Sequence, residues 1–401
     1  MIVSDTPAAW KHRSSETDPY RSIPIYEHGG NVYEVSRMLG VDPASITDLS
    51  ATLNPFAPDL SKLIKQAVDM RYHRRYPDEH DALKELADSI GISPDQLLLT
   101  HGGSEAISLV ARACGRGYCD HPEFSLYERY LPEIDTDGVK FRSNPRNPTG
   151  ELAAMSERAG VWDEAFYQMT TGQWTRRDFD KGSYVLGSLT KLLACPGIRI
   201  GYVICPDEKS MQSIRLYRPE WPLGGIECYV LANVLNSCDI EGWSRMLTEA
   251  THNLADLLSS YGLRVDRRDA PWILVQGVDD LDRRLIEHGV LIRDCTNFNM
   301  PGTYRISACR GIEMERLDKA LAKVLSHDDP CSEYKPQDLS TGRMSLGRRS
   351  EQLNPPPHLS PLMASVEPGN DRGEQLTTHA SQSPGFGHEE DVNRGTAEVG
   401  S

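Results

Sequence analysis

The chain has 401 residues, 39% apolar and 25% charged, with a formal net charge of −15. That length can enclose a large core and suits two folded domains. The acidic balance disfavours nucleic acid as a partner, and no apolar run approaches the roughly 18 residues of a membrane helix, so neither is expected.

Residues 1–25 are polar and rich in Ser, Thr and Pro, and read as a flexible arm. Met1-Ile-Val-Ser-Asp-Thr lacks a basic region followed by an apolar stretch, so no secretory signal is expected. The nine cysteines are scattered without the CxxC spacing of a metal or redox site. They read as reduced thiols of a cytoplasmic protein, Cys295 among them as a small packing residue, and no metal ligands are assigned.

His28-Gly-Gly-Asn31 precedes an amphipathic helix from Val32 to about Gly40, and residues 80–90 carry apolar residues at helical spacing. Leu97–Thr100 is a short buried strand that runs into His101-Gly-Gly103-Ser104. A strand, a glycine pair and a helix start offer backbone N–H groups to a phosphate. Further strands are expected at 184–187 and 198–204, and a long amphipathic helix at 240–262. Residues 271–275, 290–292 and 303–307 read as strands of a smaller α+β domain that a helix from Met314 to about Leu325 closes. From 329 to 401 the chain is rich in Pro, Ser, Gly, Glu and Asp without periodicity, and a disordered tail is expected. The expected division is therefore arm 1–25, large domain 26–235, small domain 236–328 and tail 329–401.

Four separated elements carry the chemistry. In chain order they are Asn144-Pro-Arg-Asn147-Pro-Thr-Gly150, Asp163-Glu-Ala-Phe166 after an apolar run, Ser188-Leu-Thr-Lys191, and Pro196-Gly-Ile-Arg199. This order and spacing resemble the fold type I, pyridoxal 5′-phosphate (PLP)-dependent aminotransferase superfamily. The resemblance implies an α/β fold: a large domain with a mostly parallel central sheet, shortened here, and a smaller α+β C-terminal domain. It implies PLP as cofactor and Lys191 as the lysine that forms a Schiff base with it and then shuttles protons. Asp163 would pair with the ring nitrogen, Asn147 would donate to the ring hydroxyl oxygen, and Tyr127 would stack on the ring. Gly103, Ser104, Ser188 and Arg199 would hold the phosphate. Tyr76 matches a position that reaches the neighbouring subunit's cofactor, which implies a homodimer with shared active sites.

His28-Gly-Gly-Asn31, Asp48-Leu-Ser-Ala-Thr-Leu-Asn-Pro55, Ser188-Leu-Thr-Lys191 and Ile292-Arg-Asp-Cys-Thr-Asn-Phe298 together resemble the threonine-phosphate decarboxylases of cobalamin biosynthesis, relatives of the histidinol-phosphate aminotransferases. This covers residues 24 to 325. It implies a phosphoamino acid substrate, with Arg305 gripping one anion through its planar fork. His28, Asn31, Arg293 and Arg310 are further substrate-binding candidates. Decarboxylation and transamination share these motifs, so an aminotransferase of a phosphorylated or phosphonate amino acid stays open. So does a non-catalytic PLP-binding fold, disfavoured by the presence of Lys191, Asp163, Asn147 and Arg199. Phe166 stands where many aminotransferases carry a tyrosine, and reads either as a packing residue or as the loss of a hydroxyl that tunes the cofactor. Two departures from the family pattern stand out. Only about 40 residues separate Ser104 from Asn144, where an extra strand and helix are usual, and Arg218-Pro-Glu-Trp221-Pro-Leu lacks the customary asparagine.

Overall fold

The computed structural model describes residues 28–325; the expected arm (1–25) and tail (329–401) lie outside the described residues. Helix α1 (Val32–Leu39) is closed by Gly40 at φ +67, a left-handed turn that favours glycine. The short strand β1 (Thr47–Asp48) follows, then α2 (Ser61–Asp69) and α3 (His80–Ile90). Gly91 ends α3 at φ +74, and the N–H groups of Gly91 and Ile92 both donate to Ala87 O, so the helix stops where the sequence places its glycine.

Strand β2 (Leu97–His101) leads directly into α4 (Gly102–Cys114), then come β3 (Arg116–Cys119), α5 (Leu126–Tyr130), β4 (Glu133–Ile134), β5 (Val139–Ser143) and β6 (Val161–Asp163). Helix α6 (Tyr167–Thr171), β7 (Tyr184–Ser188), α7 (Leu189–Leu192), β8 (Ile200–Ile204), α8 (Glu208–Arg215) and α9 (Gly225–Val234) follow. Seven of these strands form one sheet in the order β2-β8-β7-β6-β5-β3-β4. Strand β8 alone runs antiparallel to its neighbours; every other pairing is parallel. Leu97, Leu99, Trp162 and Val185 face one buried cluster, while Leu98, Val161, Leu186 and Val203 face another. Burial on both faces is why these strands read as continuous apolar runs.

The short stretch between Ser104 and Asn144 holds β3, α5, β4 and β5. β4 has only two residues, and the link from β5 to β6 carries no helix. Because β4 and β5 flank β3, residues 135–138 must cross it. A Cβ on Gly138 would lie 2.6 Å from Arg116 C, and one on Gly117 2.6 Å from Val139 O, so both positions need glycine for so tight a crossing.

The chain then forms α10 (Ile240–Ser260), β9 (Arg264–Arg267), β10 (Trp272–Gln276), α11 (Leu281–Ile286), β11 (Val290–Leu291), β12 (Arg293–Asp294), β13 (Tyr304–Ser307) and α12 (Ile312–Leu325). Asp239 caps α10 by accepting from Gly242 N at 2.9 Å. The antiparallel sheet β12-β13-β10-β9 packs Ile273, Val275 and Ile306 against Leu254, Leu258, Leu317 and Leu321 of α10 and α12. β1 pairs in parallel with β11 in a separate two-stranded sheet, which ties the N-terminal segment to the chain just before β12. None of the described helices is long and apolar enough to cross a membrane.

Candidate active site

β2, β5, β6 and β7 point the same way, so their carboxyl ends meet at one edge of the large sheet. Each apolar run ends on polar chemistry: Gly102–Ser104 after β2, Asn147 after β5, Asp163 at the end of β6, and Lys191 just beyond β7. Ligands of open α/β sheets gather at this edge. A cavity of about 330 Å³ opens here and is lined by Lys191, Asp163, Tyr127, Asn147, Ser104 and Arg199. His28, Arg293 and Arg305 line it as well.

Lys191 is half-buried, and desolvation holds its amine below the usual lysine range, opposed by the Asp163 carboxylate and helped by the Arg199 and Arg305 cations. Its Nζ lies 4.9 Å from the centre of the Phe166 ring. Asp163 is half-buried too, and desolvation raises its pKa, while hydrogen bonds from Ala165 N (3.0 Å) and Tyr127 OH (2.8 Å) favour the carboxylate. Tyr127 is fully buried, with its hydroxyl engaged on Asp163 and its ring edge-on to Phe124. Phe124 and Ser143, which carry no sequence signal of their own, also line the cavity, as does Ser50–Leu53 from the Asp48–Pro55 string. That segment is held by Asn54, whose N–H donates to Lys191 O at 3.0 Å.

The turn from β2 into α4 is packed against β8. A Cβ on Gly102 would lie 2.6 Å from Arg199 Nη2, and one on Gly201 2.4 Å from Gly102 C and 2.8 Å from Gly103 N. Ser188 sits behind Gly103, 3.6 Å from the position of its absent Cβ, and does not line the cavity. The start of the 13-residue α4, with Ser104 and Arg199 beside it, is a ready cradle for a phosphate.

Arg305 and Arg293 sit opposite each other on β13 and β12, both buried, both facing the cavity. Like charges directly opposite on paired strands are destabilising. Arg305 Nη1 donates to Asn147 Oδ1 at 2.6 Å and Nη2 to Ser50 O at 3.3 Å, while its Nε is buried without a partner. Among the described residues no carboxylate forms an ion pair with Arg305. With Oδ1 occupied by Arg305, Asn147 has Nδ2 left to donate. Arg293 Nη2 donates to Asn297 Oδ1 at 2.9 Å.

Three expected residues stand apart from the cavity. Tyr76 is 79% exposed and stacks on Trp221 at 4.6 Å. Asn31 uses its side-chain amide to bind His28 O at 2.7 Å and so holds the segment that carries His28. Arg310 lies past the end of β13, stacks on Phe56 at 4.7 Å and lines a separate surface pocket with Met246 and Met314.

An amine, a carboxylate for a cationic ring nitrogen, an amide donor and a phosphate cradle around one cavity fit PLP. The aminotransferase class I and II family model matches residues 141–324. The threonine-phosphate decarboxylase of Salmonella typhimurium is 27% identical over a 361-residue alignment that takes in 75% of this chain and 96% of that protein. The histidinol-phosphate aminotransferase of Haloarcula marismortui is 25% identical, over 75% of this chain and 96% of that one. The histidinol-phosphate aminotransferase of Sinorhizobium meliloti in complex with PLP superposes with a TM-score of 0.63 at 18% identity, covering 79% of this chain and 98% of that one. The L-threonine-O-3-phosphate decarboxylase of Porphyromonas gingivalis gives 0.59 at 21%, covering 69% and 99%. Family model, relatives and fold agree with the geometry: residues 141–324 match the aminotransferase class I and II family, and the chain has the fold type I architecture of PLP-dependent proteins.

Proposed function

We propose that the protein decarboxylates an O-phosphoamino acid, with L-threonine O-3-phosphate converted to aminopropanol phosphate for cobalamin biosynthesis as the leading assignment. The observation that carries this reading is the facing pair Arg293 and Arg305. Arg199 is taken up by the phosphate cradle, so two further buried cations remain at the cavity. A substrate with a carboxylate and a phosphate supplies two anions to match them.

Gly103, Ser104 and Arg199 would hold the cofactor phosphate with Ser188 behind them, and Asp163, Asn147 and Lys191 would address the ring. When bound, PLP supplies an electron sink for the pair released from a broken bond at the substrate's Cα. Asp163 would address the ring nitrogen, its carboxylate form favoured by the hydrogen bonds from Ala165 N and Tyr127 OH. Lys191, its basicity lowered by desolvation, would accept and return a proton at Nζ. Phe124, Phe166 and Phe298 keep that part of the cavity apolar and limit water. Arg305 orients the carboxylate, and that orientation decides whether CO₂ or a proton leaves.

In this reading the enzyme is a cytoplasmic homodimer. All eight described cysteines are unpaired thiols, which suits a reducing compartment. Tyr76 stands clear of its own chain's cavity, which suits a reach into a neighbouring subunit.

The second reading is an aminotransferase of a phosphorylated or phosphonate amino acid, favoured by relatives of that kind at about the same identity. The deciding experiment mixes the PLP-loaded protein with L-threonine O-3-phosphate and records released CO₂ together with the absorbance spectrum. CO₂ with the starting spectrum restored supports the decarboxylase. A lasting conversion to the amine form of the cofactor without CO₂ makes it an aminotransferase, and no response removes this substrate.

A further inference from the structure

Outside the cavity, three side chains of different donor chemistry converge at the end of β3. Cys119 is its last residue and is 8% exposed; His121 follows two residues later; Glu128 projects from α5. The thiol sulfur, an imidazole nitrogen and a carboxylate oxygen all lie within 4.8 Å of one another. His121 Nε2 and Glu128 Oε1 are 3.0 Å apart, and the Cys119 thiol is hydrogen-bonded to Glu128. We propose that Cys119, His121 and Glu128 form a three-ligand site for a zinc-like divalent cation, with the fourth position open to solvent.

The geometry is close to what zinc requires. Metal–ligand bonds of about 2.0–2.3 Å in a tetrahedron set the donor atoms roughly 3.4–3.6 Å apart. Small side-chain adjustments bring the three atoms to that spacing. The donor set is also that of a borderline-soft ion, with one thiolate, one imidazole and one carboxylate. His121 is 56% exposed in its side chain, which gives an ion a path from solvent.

Electrostatics favours the same occupant. The carboxylates of Glu128, Glu123 and Asp120 surround the buried Cys119 thiol. The same negative surroundings attract a dication, which would displace the thiol proton to solvent and be neutralised by the thiolate and the Glu128 carboxylate. Asp120 and Glu123 already have cationic neighbours, Lys140 at 2.6 Å from Asp120 and Arg142 at 3.8 Å from Glu123.

The site would brace one wall of the cavity. Residues 120–125 between the ligands bring Phe124 to the cavity, and α5 carries Tyr127, whose hydroxyl binds Asp163. An ion joining β3 to α5 would fix both aromatic residues without touching the reacting atoms.

The test is a Co(II) titration of the metal-stripped, PLP-loaded full chain, followed by the near-ultraviolet band of a cobalt–thiolate bond. PLP can chelate metals but contributes no thiolate band. The wild type should take one equivalent with this band, and Zn(II) should displace it. Cys119→Ser should remove the band, and His121→Asn, an exposed change that leaves the core alone, should weaken binding at least tenfold. No cobalt–thiolate band in the wild type overturns the proposal. A band that survives unchanged in both variants, with far-ultraviolet circular dichroism matching the wild type, also overturns it.

Discussion

Replacing Arg305 by methionine should move stability and function in opposite directions. Arg305 is 6% exposed, has no carboxylate partner among the described residues and leaves Nε unsatisfied. Exchanging a buried charge for an apolar side chain of similar length is often stabilising by about 1–4 kcal/mol. Two hydrogen bonds are lost, to Asn147 Oδ1 and Ser50 O, but both residues line the cavity and can rehydrate. A net gain of about 1–2 kcal/mol corresponds to a rise in Tm of roughly 2–6 °C for the PLP-loaded, substrate-free protein. Removing one partner of a buried charge pair costs about 2–5 kcal/mol, so kcat/KM for an anionic amino acid should fall by roughly 30- to several thousand-fold. Calorimetry and steady-state kinetics on the same preparation read both quantities. A lower Tm with unchanged kcat/KM would show that Arg305 is a structural cation satisfied by its neighbours, and would refute the anion-site argument.

Other residues make separable demands. Lys191→Ala should abolish both turnover and the visible absorbance of lysine-bound cofactor, and retained turnover would sink the mechanism. Gly201→Ala places a Cβ 2.4 Å from Gly102 C, so the phosphate cradle must shift and PLP should be held at least about tenfold more weakly in equilibrium dialysis; unchanged retention would free this turn from the phosphate role. Tyr127→Phe removes a hydrogen bond that lowers the Asp163 pKa, so the acidic limb of kcat/KM should move to higher pH, and a fixed limb would detach Asp163 from that titration. Glu164, fully buried, has its carboxyl pushed up to about 8 by desolvation. A raised carboxyl pKa gives stability that is full below the unfolded value and declines as pH rises through the folded one. Glu164→Gln should therefore gain on the wild type in urea midpoint between about pH 5 and about pH 9, and a constant difference would contradict the assignment.

Much of this site could be read from the sequence because each part directly follows an apolar run. Leu97–Thr100 announces a strand, and the glycine pair behind it can only lie at that strand's end; the same holds for Asp163 and Lys191. Helix ends were legible where glycine takes a left-handed conformation, as at Gly40 and Gly91. Pairings across sheets had no such signal. Nothing in the one-dimensional pattern sets Arg293 opposite Arg305, because register depends on the irregular turn 295–303 between β12 and β13. Arg310 looked equivalent to its neighbours and is separated from them only because β13 ends at Ser307. Cys119, His121 and Glu128 carry no metal-site spacing along the chain, because a turn and one helix bring these three together. The sequence before Asn144 also gives no sign of β4, whose tight link to β5 across β3 depends on Gly117 and Gly138.

The scaffold is sparest at the two-residue β4 on the sheet edge and in the helix-free β5–β6 link, while β6 and β7, which present Asp163 and Lys191, sit near the centre of the sheet. The Asn147 loop, left without a crossover helix, is anchored from the second sheet instead: Trp272 Nε1 donates to Pro148 O at 2.8 Å and Arg305 to Asn147 Oδ1. The side chain proposed to grip substrate thus also fixes the direction of the amide proposed to address the cofactor. Cofactor positioning and substrate binding meet in that single hydrogen bond, so an anion drawing Arg305 toward itself must also act on Asn147.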